Sequence, residues 1–172
     1  YLLLAQIHCQ FYDYKKALGF ILESDKIVSN FSQFAEPEHY FYHCLIILKN
    51  YPQFSKEEKK RHWDLLKVSQ QKLAEFAERC PINFVDKSQL IEAIVAGVSG
   101  NFVQAVGLYD EAIQLARENG FVQNEAIANE AAANYYLSRN QVTIATAYLR
   151  EACRAYVRWG ALAKLKHLEQ SY

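Results

Sequence analysis

Methionine is absent from this 172-residue chain, and only three prolines and six glycines interrupt it. So few breakers, with no sustained alternation of apolar and polar residues between turn signals, argue against β-structure. Charge of either sign is also missing in net: 19 Lys+Arg face 19 Asp+Glu. A nucleic-acid or anionic-membrane binder needs a basic surface to displace phosphate counterions, so those partner classes are disfavoured. No apolar run approaches the roughly 20 residues of a membrane span, and no signal peptide is legible. The longest candidate, CLIILK (44–49), is far too short. The four cysteines, Cys9, Cys44, Cys80 and Cys153, lie 35, 36 and 73 residues apart without a Cys-x-x-Cys pair. Such single thiols are expected to be buried small hydrophobes of a cytoplasmic protein rather than a disulfide framework. The lack of a start residue, with a helical pattern running from Tyr1, leads to the expectation of a piece excised from a larger protein.

What is present is helical. At 51% hydrophobic content the chain can bury a real core. The pattern predicts helices at about 1–11, 14–30, 37–50, 55–79, 84–99, 101–119, 122–139, 141–158 and 161–171. Ser55 with Glu58 is a capping box, in which hydroxyl and carboxylate each satisfy an orphan backbone N–H. Pro37 suits an early helical position, while Pro52 and Pro81 fall after helices and stop them. Gly120 closes LARENG as a left-handed cap. Val142, Ala145, Leu149, Ala152, Tyr156 and Trp159 step by three and four onto one stripe.

Self-similarity decides the architecture. At an offset of 40, Ala93 meets Ala133, Ala105 meets Ala145, Glu111 meets Glu151, Ala112 meets Ala152 and Gly120 meets Gly160. An offset of 88 brings Ala5, Tyr14, Ala17 and Glu23 near Ala93, Phe102, Ala105 and Glu111. Because 88 is about twice 44, a degraded repeat is expected between them, at 37–80.

GNFVQAVGLYDEAIQLA (100–116) resembles the second helix of a tetratricopeptide repeat. Gly100-Asn101-Phe102 stands at the turn, Ala105 and Ala112 at the small positions, and Tyr109 at the aromatic one. YDYKKALGFILES (12–24) resembles the same unit. Small residues let paired helices approach and the aromatic fills space toward the next repeat. An ordinary bundle with alanines at its contacts is the plainer alternative. A period near 40 exceeds the usual 34, lengthening each helix by about three residues, or ~4.5 Å. That length resembles the extended tetratricopeptide variety of bacterial signalling ATPases.

Nothing reads as catalytic. Gly97, Gly100, Gly107 and Gly120 form no phosphate loop, and no nucleophile elbow occurs. No cofactor is implied. Glu57-Glu58 and Asp110-Glu111 read as solvated charge. His39 and His43, four apart beside Cys44, offer a metal-ligand face, but no second pair completes a site, so packing histidines are expected. SKEEKKRHWDLLK (55–67) nets +2 with His62 neutral and reads as an exposed face. Within it, Trp63 has the type that anchors interfaces. Taking Ala93 and Ala133 as central small positions, Leu90, Ile94, Glu130 and Asn134 are expected to face the groove. They lack the Lys or Arg that would clamp a peptide carboxylate.

CLIILKNYP (44–52), the run from Cys80 to Glu130, and the ending AYVRWGALAKLKHLEQSY (155–172) are similar to the tetratricopeptide-like segment of large multi-domain signalling kinases, best known in cyanobacteria. The resemblance implies a cytoplasmic parent with Ser/Thr kinase, AAA-type ATPase, GAF and histidine-kinase modules, in which this segment connects and does not catalyse. The expected fold is all-α, an extended tetratricopeptide-like helical-hairpin superhelix of about nine helices. Its repeats would be 1–30, 37–80, 84–120 and 122–158, with a capping helix at 161–171. Ala105, Tyr109, Ala112, Gly120, Ala145, Ala152, Trp159 and Gly160 are expected to be structural. Partners are expected to be proteins, either flanking domains or a separate chain acting in trans, with an effector held in the superhelix as a further alternative.

Overall fold

A computed structural model describes residues 1–32 and 34–172. Among them are nine α-helices and no strand: α1 (Leu2–Gln10), α2 (Tyr14–Asp25), α3 (Ala35–Asn50), α4 (Lys56–Arg79), α5 (Pro81–Val98), α6 (Phe102–Glu118), α7 (Val122–Leu137), α8 (Val142–Trp159) and α9 (Leu162–Ser171). Ser55 caps α4 with the full capping box, its Oγ accepting from Glu58 N and the Glu58 carboxylate accepting from Ser55 N.

Two boundaries depart from expectation. The predicted helix at 14–30 ends at Asp25, and the chain continues as a short 3-10 helix, Val28–Asn30. The predicted helix at 84–99 begins instead at Pro81. Proline there stops α4 and opens α5 in one step, because its missing N–H is one that the first turn leaves unpaired anyway.

The chain forms two compact units, Tyr1–Phe84 and Val85–Tyr172. In the first, α1 packs on α2, α2 on α3 and α3 on α4 around Ile21, Phe41, Ile46, Leu66 and Leu73. In the second, α7 lies between α6 and α8, and α8 carries α9. Residues 124–133 of α7 are all buried, and five of those ten are alanine. Small side chains let α6 and α8 close over α7 from both sides.

The sequence offsets recur as geometry. Tyr12, Gly100 and Asn140 stand at offsets 88 and 40 and share the left-handed backbone, with φ of 65°, 81° and 58°. Behind each, the next residue's N–H returns to a carbonyl five back: Asp13 to His8 (2.9 Å), Asn101 to Ala96 (2.9 Å) and Gln141 to Tyr136 (3.0 Å). Gly120 and Gly160 match likewise, at φ 76° and 78°. Phe121 N bonds Ala116 O, and Ala161 N bonds Tyr156 O. Such αL closures satisfy the last carbonyls of a helix. Ala5, Ala93 and Ala133 are all buried, as are Ala17, Ala105 and Ala145. Each of these helix-to-helix turns is therefore built on one local plan.

Other details overturn the patterning. His62, counted in an exposed face, is buried and stacks on Phe54 with ring centroids 4.5 Å apart. The stripe on α8 is buried at Ala145, Ala152 and Tyr156, but its ends Val142 and Trp159 are exposed. On α9 the buried pair is Lys164 and Leu168, while Leu162 and Tyr172 are exposed. Lys164 turns inward because it has a buried anion to meet, as described below.

Candidate functional site

The most concentrated polar chemistry lies in the first unit. The i, i+4 spacing of His39 and His43 puts both imidazoles on one side of α3, stacked 5.8 Å apart and 10° from parallel. Between them and α2 stands the Asp25 carboxylate. His39 Nε2 lies 2.8 Å from its Oδ1. His43 Nε2 lies 3.2 Å from Oδ2, off the direction of a good hydrogen bond. The far ring nitrogens reach hydroxyls: His39 Nδ1 to Ser24 Oγ at 3.0 Å, His43 Nδ1 to Ser69 Oγ at 2.6 Å. In the tautomer that turns Nε2–H toward the carboxylate, each Nδ1 accepts from its serine. Burial pushes the Asp25 carboxyl up, but the hydrogen bond from His39 and the close His43 imidazole outweigh it and leave the group at about 2.

This chain of Ser24, His39, Asp25, His43 and Ser69 ties α2, α3 and α4 together. It has the residue types of a nucleophile with its base, yet Ser24, His39, His43 and Ser69 are all buried. A nucleophile must reach its substrate, and the Ser24 hydroxyl is fully enclosed. The arrangement works as a polar cross-link. No group of three His, Cys, Asp or Glu among the described residues has a geometry able to hold a metal ion. The sequence flagged the two histidines; Ser24, Asp25 and Ser69 carried no comparable signal, because only the packing of three helices assembles them.

The second unit holds three buried acids. Glu130 of α7 accepts from Tyr156 Oη at 2.6 Å and from Lys164 Nζ at 3.1 Å. Lys164 itself is buried, its ammonium 5.7 Å from the Tyr156 ring centroid. Glu125 accepts from Arg117 Nε at 2.9 Å and from Arg158 Nη2. Asp86 of α5 accepts from Asn124 of α7 at 2.7 Å, and burial still raises its carboxyl above the ordinary value. Buried anions persist only when paired in this way.

The four residues expected at a groove fall into two classes. Leu90 and Glu130 are interior, the latter held by Tyr156 and Lys164. Ile94 is half-buried, and half-buried Asn134 accepts from the Tyr172 hydroxyl. Trp63 is half-buried with its ring 5.4 Å from Tyr51. Trp159 is 40% exposed and tilts over Tyr156 at 6.0 Å. Ala105, Tyr109, Ala112, Ala145 and Ala152 are all buried.

A groove of about 660 Å³ runs between α6 and α8, with Asn129 of α7 among its lining residues. Arg117, Tyr148, Glu151 and Arg154 stand along it. Tyr148 Oη donates to Asp110 at 2.5 Å, and Arg154 Nη1 meets Glu151 at 2.5 Å. Asp110 is thus engaged, not merely solvated. Elsewhere, Cys9 and Cys44 are buried as expected, whereas Cys80 and Cys153 are half-buried, and all four are free thiols. No helix is long and apolar enough to cross a membrane among the described residues.

A 58-residue stretch, 34% of this chain, is 38% identical to the hybrid signal transduction histidine kinase G of Dictyostelium discoideum. It spans 2% of that protein's length. No family model and no solved structure matches the chain.

Proposed function

We propose that this chain is a non-catalytic helical-repeat connector within a multi-domain signalling kinase, making protein–protein contacts to flanking modules or to a partner. The observation that carries it is the recurrence of one hairpin plan at offsets 88 and 40, down to the left-handed turn at Tyr12, Gly100 and Asn140. Hairpins repeated on one plan build an extended surface from contacts between neighbours, which suits a spacer better than a reaction centre. The engaged acids support the same reading: buried Glu125 and Glu130, and half-buried Asp25, are each held by groups of this chain. The likeness to a signal transduction histidine kinase supports the signalling context. A parent carrying Ser/Thr kinase, AAA ATPase and GAF modules, with tetratricopeptide-type stacking and a cytoplasmic location, completes the proposal.

Hydrogen exchange on the parent protein, with and without bound nucleotide, tests the connector role. Protection that changes in these helices when nucleotide binds supports it. Protection that is identical in both states overturns it, since a connector must bias one end from the other.

A second reading, a module that binds a peptide or small effector in trans, is favoured by the groove between α6 and α8. Specific capture of a partner by the isolated chain, lost on Arg154→Glu, would support that reading over the first.

A further inference from the structure

We infer that α5 and α7 are locked in one sliding register by two pins, a buried hydrogen bond and a glycine notch. The lock selects how successive helices stack and adds no net stability. At the first pin, Asn124 Nδ2 donates to Asp86 Oδ2 at 2.7 Å, and both residues are buried. At the second, a Cβ added to Gly97 would stand 2.9 Å from Cε2 of the Tyr135 ring. The ring seats on α5 there because the Cβ is missing. Asp86 and Asn124 are 38 residues apart, and so are Gly97 and Tyr135. One offset therefore holds between parallel α5 and α7 over 11 residues, or ~16 Å of helical rise.

The same offset recurs across the second unit. Tyr148 of α8 donates to Asp110 of α6, and the Tyr172 hydroxyl donates to Asn134 of α7, each across 38 residues. Equivalent positions of the repeat are 40 apart, so each helix is displaced by two residues, ~3 Å, against its counterpart. Glu130 and Lys164, 34 apart, lie one turn closer and are joined by two long side chains.

Apolar packing alone does not choose this offset. Half of residues 124–133 in α7 are alanine, and small apolar side chains attract without direction. A slip of one turn one way would set Asp86 against Ala128 and Tyr135 against Ala93. The carboxylate would lose its donor, and the ring would meet a Cβ. A slip the other way carries Asp86 to Gly120 and Tyr135 to Asn101, both beyond the opposing helix. The first pin is not built for strength, because Asp86 Oδ1 is buried with no hydrogen-bond partner among the described residues. Buried polar pairs can give way to apolar residues with little loss of stability, and fixing register is their best-attested use.

The chain passes from the first unit to the second within α5. The lock deepens the connector reading and rests on it only for its use: a displacement of α5 reaches α7 undiminished if a single offset is allowed.

The test is the amide NMR spectrum of the 172-residue chain with the pins removed singly and together. Asp86→Leu with Asn124→Leu should keep one set of α5 and α7 resonances and a melt within about 5 °C of the original, since the notch still holds. Adding Gly97→Ala, which fills the notch, should split or broaden those resonances. It should also lower hydrogen-exchange protection in α5 by about tenfold or more, with helical circular dichroism retained. Adding Tyr135→Leu instead removes the ring and should do the same, so misfolding peculiar to one variant is recognised. A single set of resonances in both combined variants overturns the inference. So does loss of helix in both, or a melt lowered by more than about 5 °C in the first, since the pins then supply the stability of the fold. These outcomes are read on the chain alone, so they stand apart from the nucleotide-dependent hydrogen exchange that tests the connector role.

Discussion

The imidazole rings of His39 and His43 stack 5.8 Å apart, and the Asp25 carboxylate lies against the Nε2 atoms of both. The pair was legible in the sequence as a possible metal face; the carboxylate that joins it is a neighbour by packing alone. Asp25 is held at about 2, below its ordinary 3.8. A depressed carboxyl stabilises the fold above its unfolded value and stops doing so as pH falls through its folded one. Urea midpoints should therefore fall between about pH 4 and pH 2. In Asp25→Asn that acid slope should shrink, and stability at pH 7 should drop because the amide keeps one acceptor oxygen where two buried imidazoles meet a carboxylate. A wild-type midpoint flat across this window would refute the account.

Lys164 is the anchor of the last helix. It is buried against Glu130, and truncating one member of a buried pair leaves the other uncompensated, a loss of about 3–5 kcal/mol in general. Lys164→Ala is expected toward the lower end, since Tyr156 still donates to Glu130. Trp159→Ala should cost less, because Trp159 is partly exposed. Thermal melts of the two variants decide the order, and a larger loss for Trp159→Ala would reverse it.

The αL closures make a graded prediction. Gly160 has φ 78°, where a Cβ costs about 1–2 kcal/mol. Gly160→Ala should lower stability by about that amount although no atom lies within 4 Å of the added carbon. Asn140→Gly, at φ 58°, should be neutral to slightly stabilising, since asparagine tolerates this region. Equal effects of the two substitutions would show that backbone conformation is not the cause.

Thiol accessibility follows burial. Cys80 and Cys153 are half-buried, while Cys9 and Cys44 are enclosed. Burial, followed by Glu169 and Glu130, raises the Cys153 thiol and slows it. Under native conditions a maleimide should label two sites, Cys80 before Cys153, and all four only after denaturation. Mass spectrometry of the labelled chain reads the order directly; early labelling of Cys44 would contradict the packing.

Much of the helical plan could be read without coordinates. Cap and turn chemistry is local: Ser55 with Glu58, or Gly120 and Gly160, act on backbone groups within a few residues. Repeat offsets are likewise visible because alanine at Ala105 and Ala145 answers the same close approach twice. The failures share one origin. His62 and Trp159 were assigned faces by the polarity of their own side chains. Burial depends as well on what stands opposite: Lys164 is buried because Glu130, 34 residues earlier, is buried against it.

Sequence by itself determined the helix content and the helix caps, since each depends on groups a few bonds or one helical turn apart. Tertiary structure alone decided which polar residues go inside. A buried charge is tolerable only beside its partner, and the partners here come from other helices: Asp25 for His39, Glu130 for Lys164, Asn124 for Asp86. It also left Leu3, Leu4 and Ile7 uncovered on α1. Periodicity marks a helix face as apolar, but whether anything lies against it depends on what else is packed there.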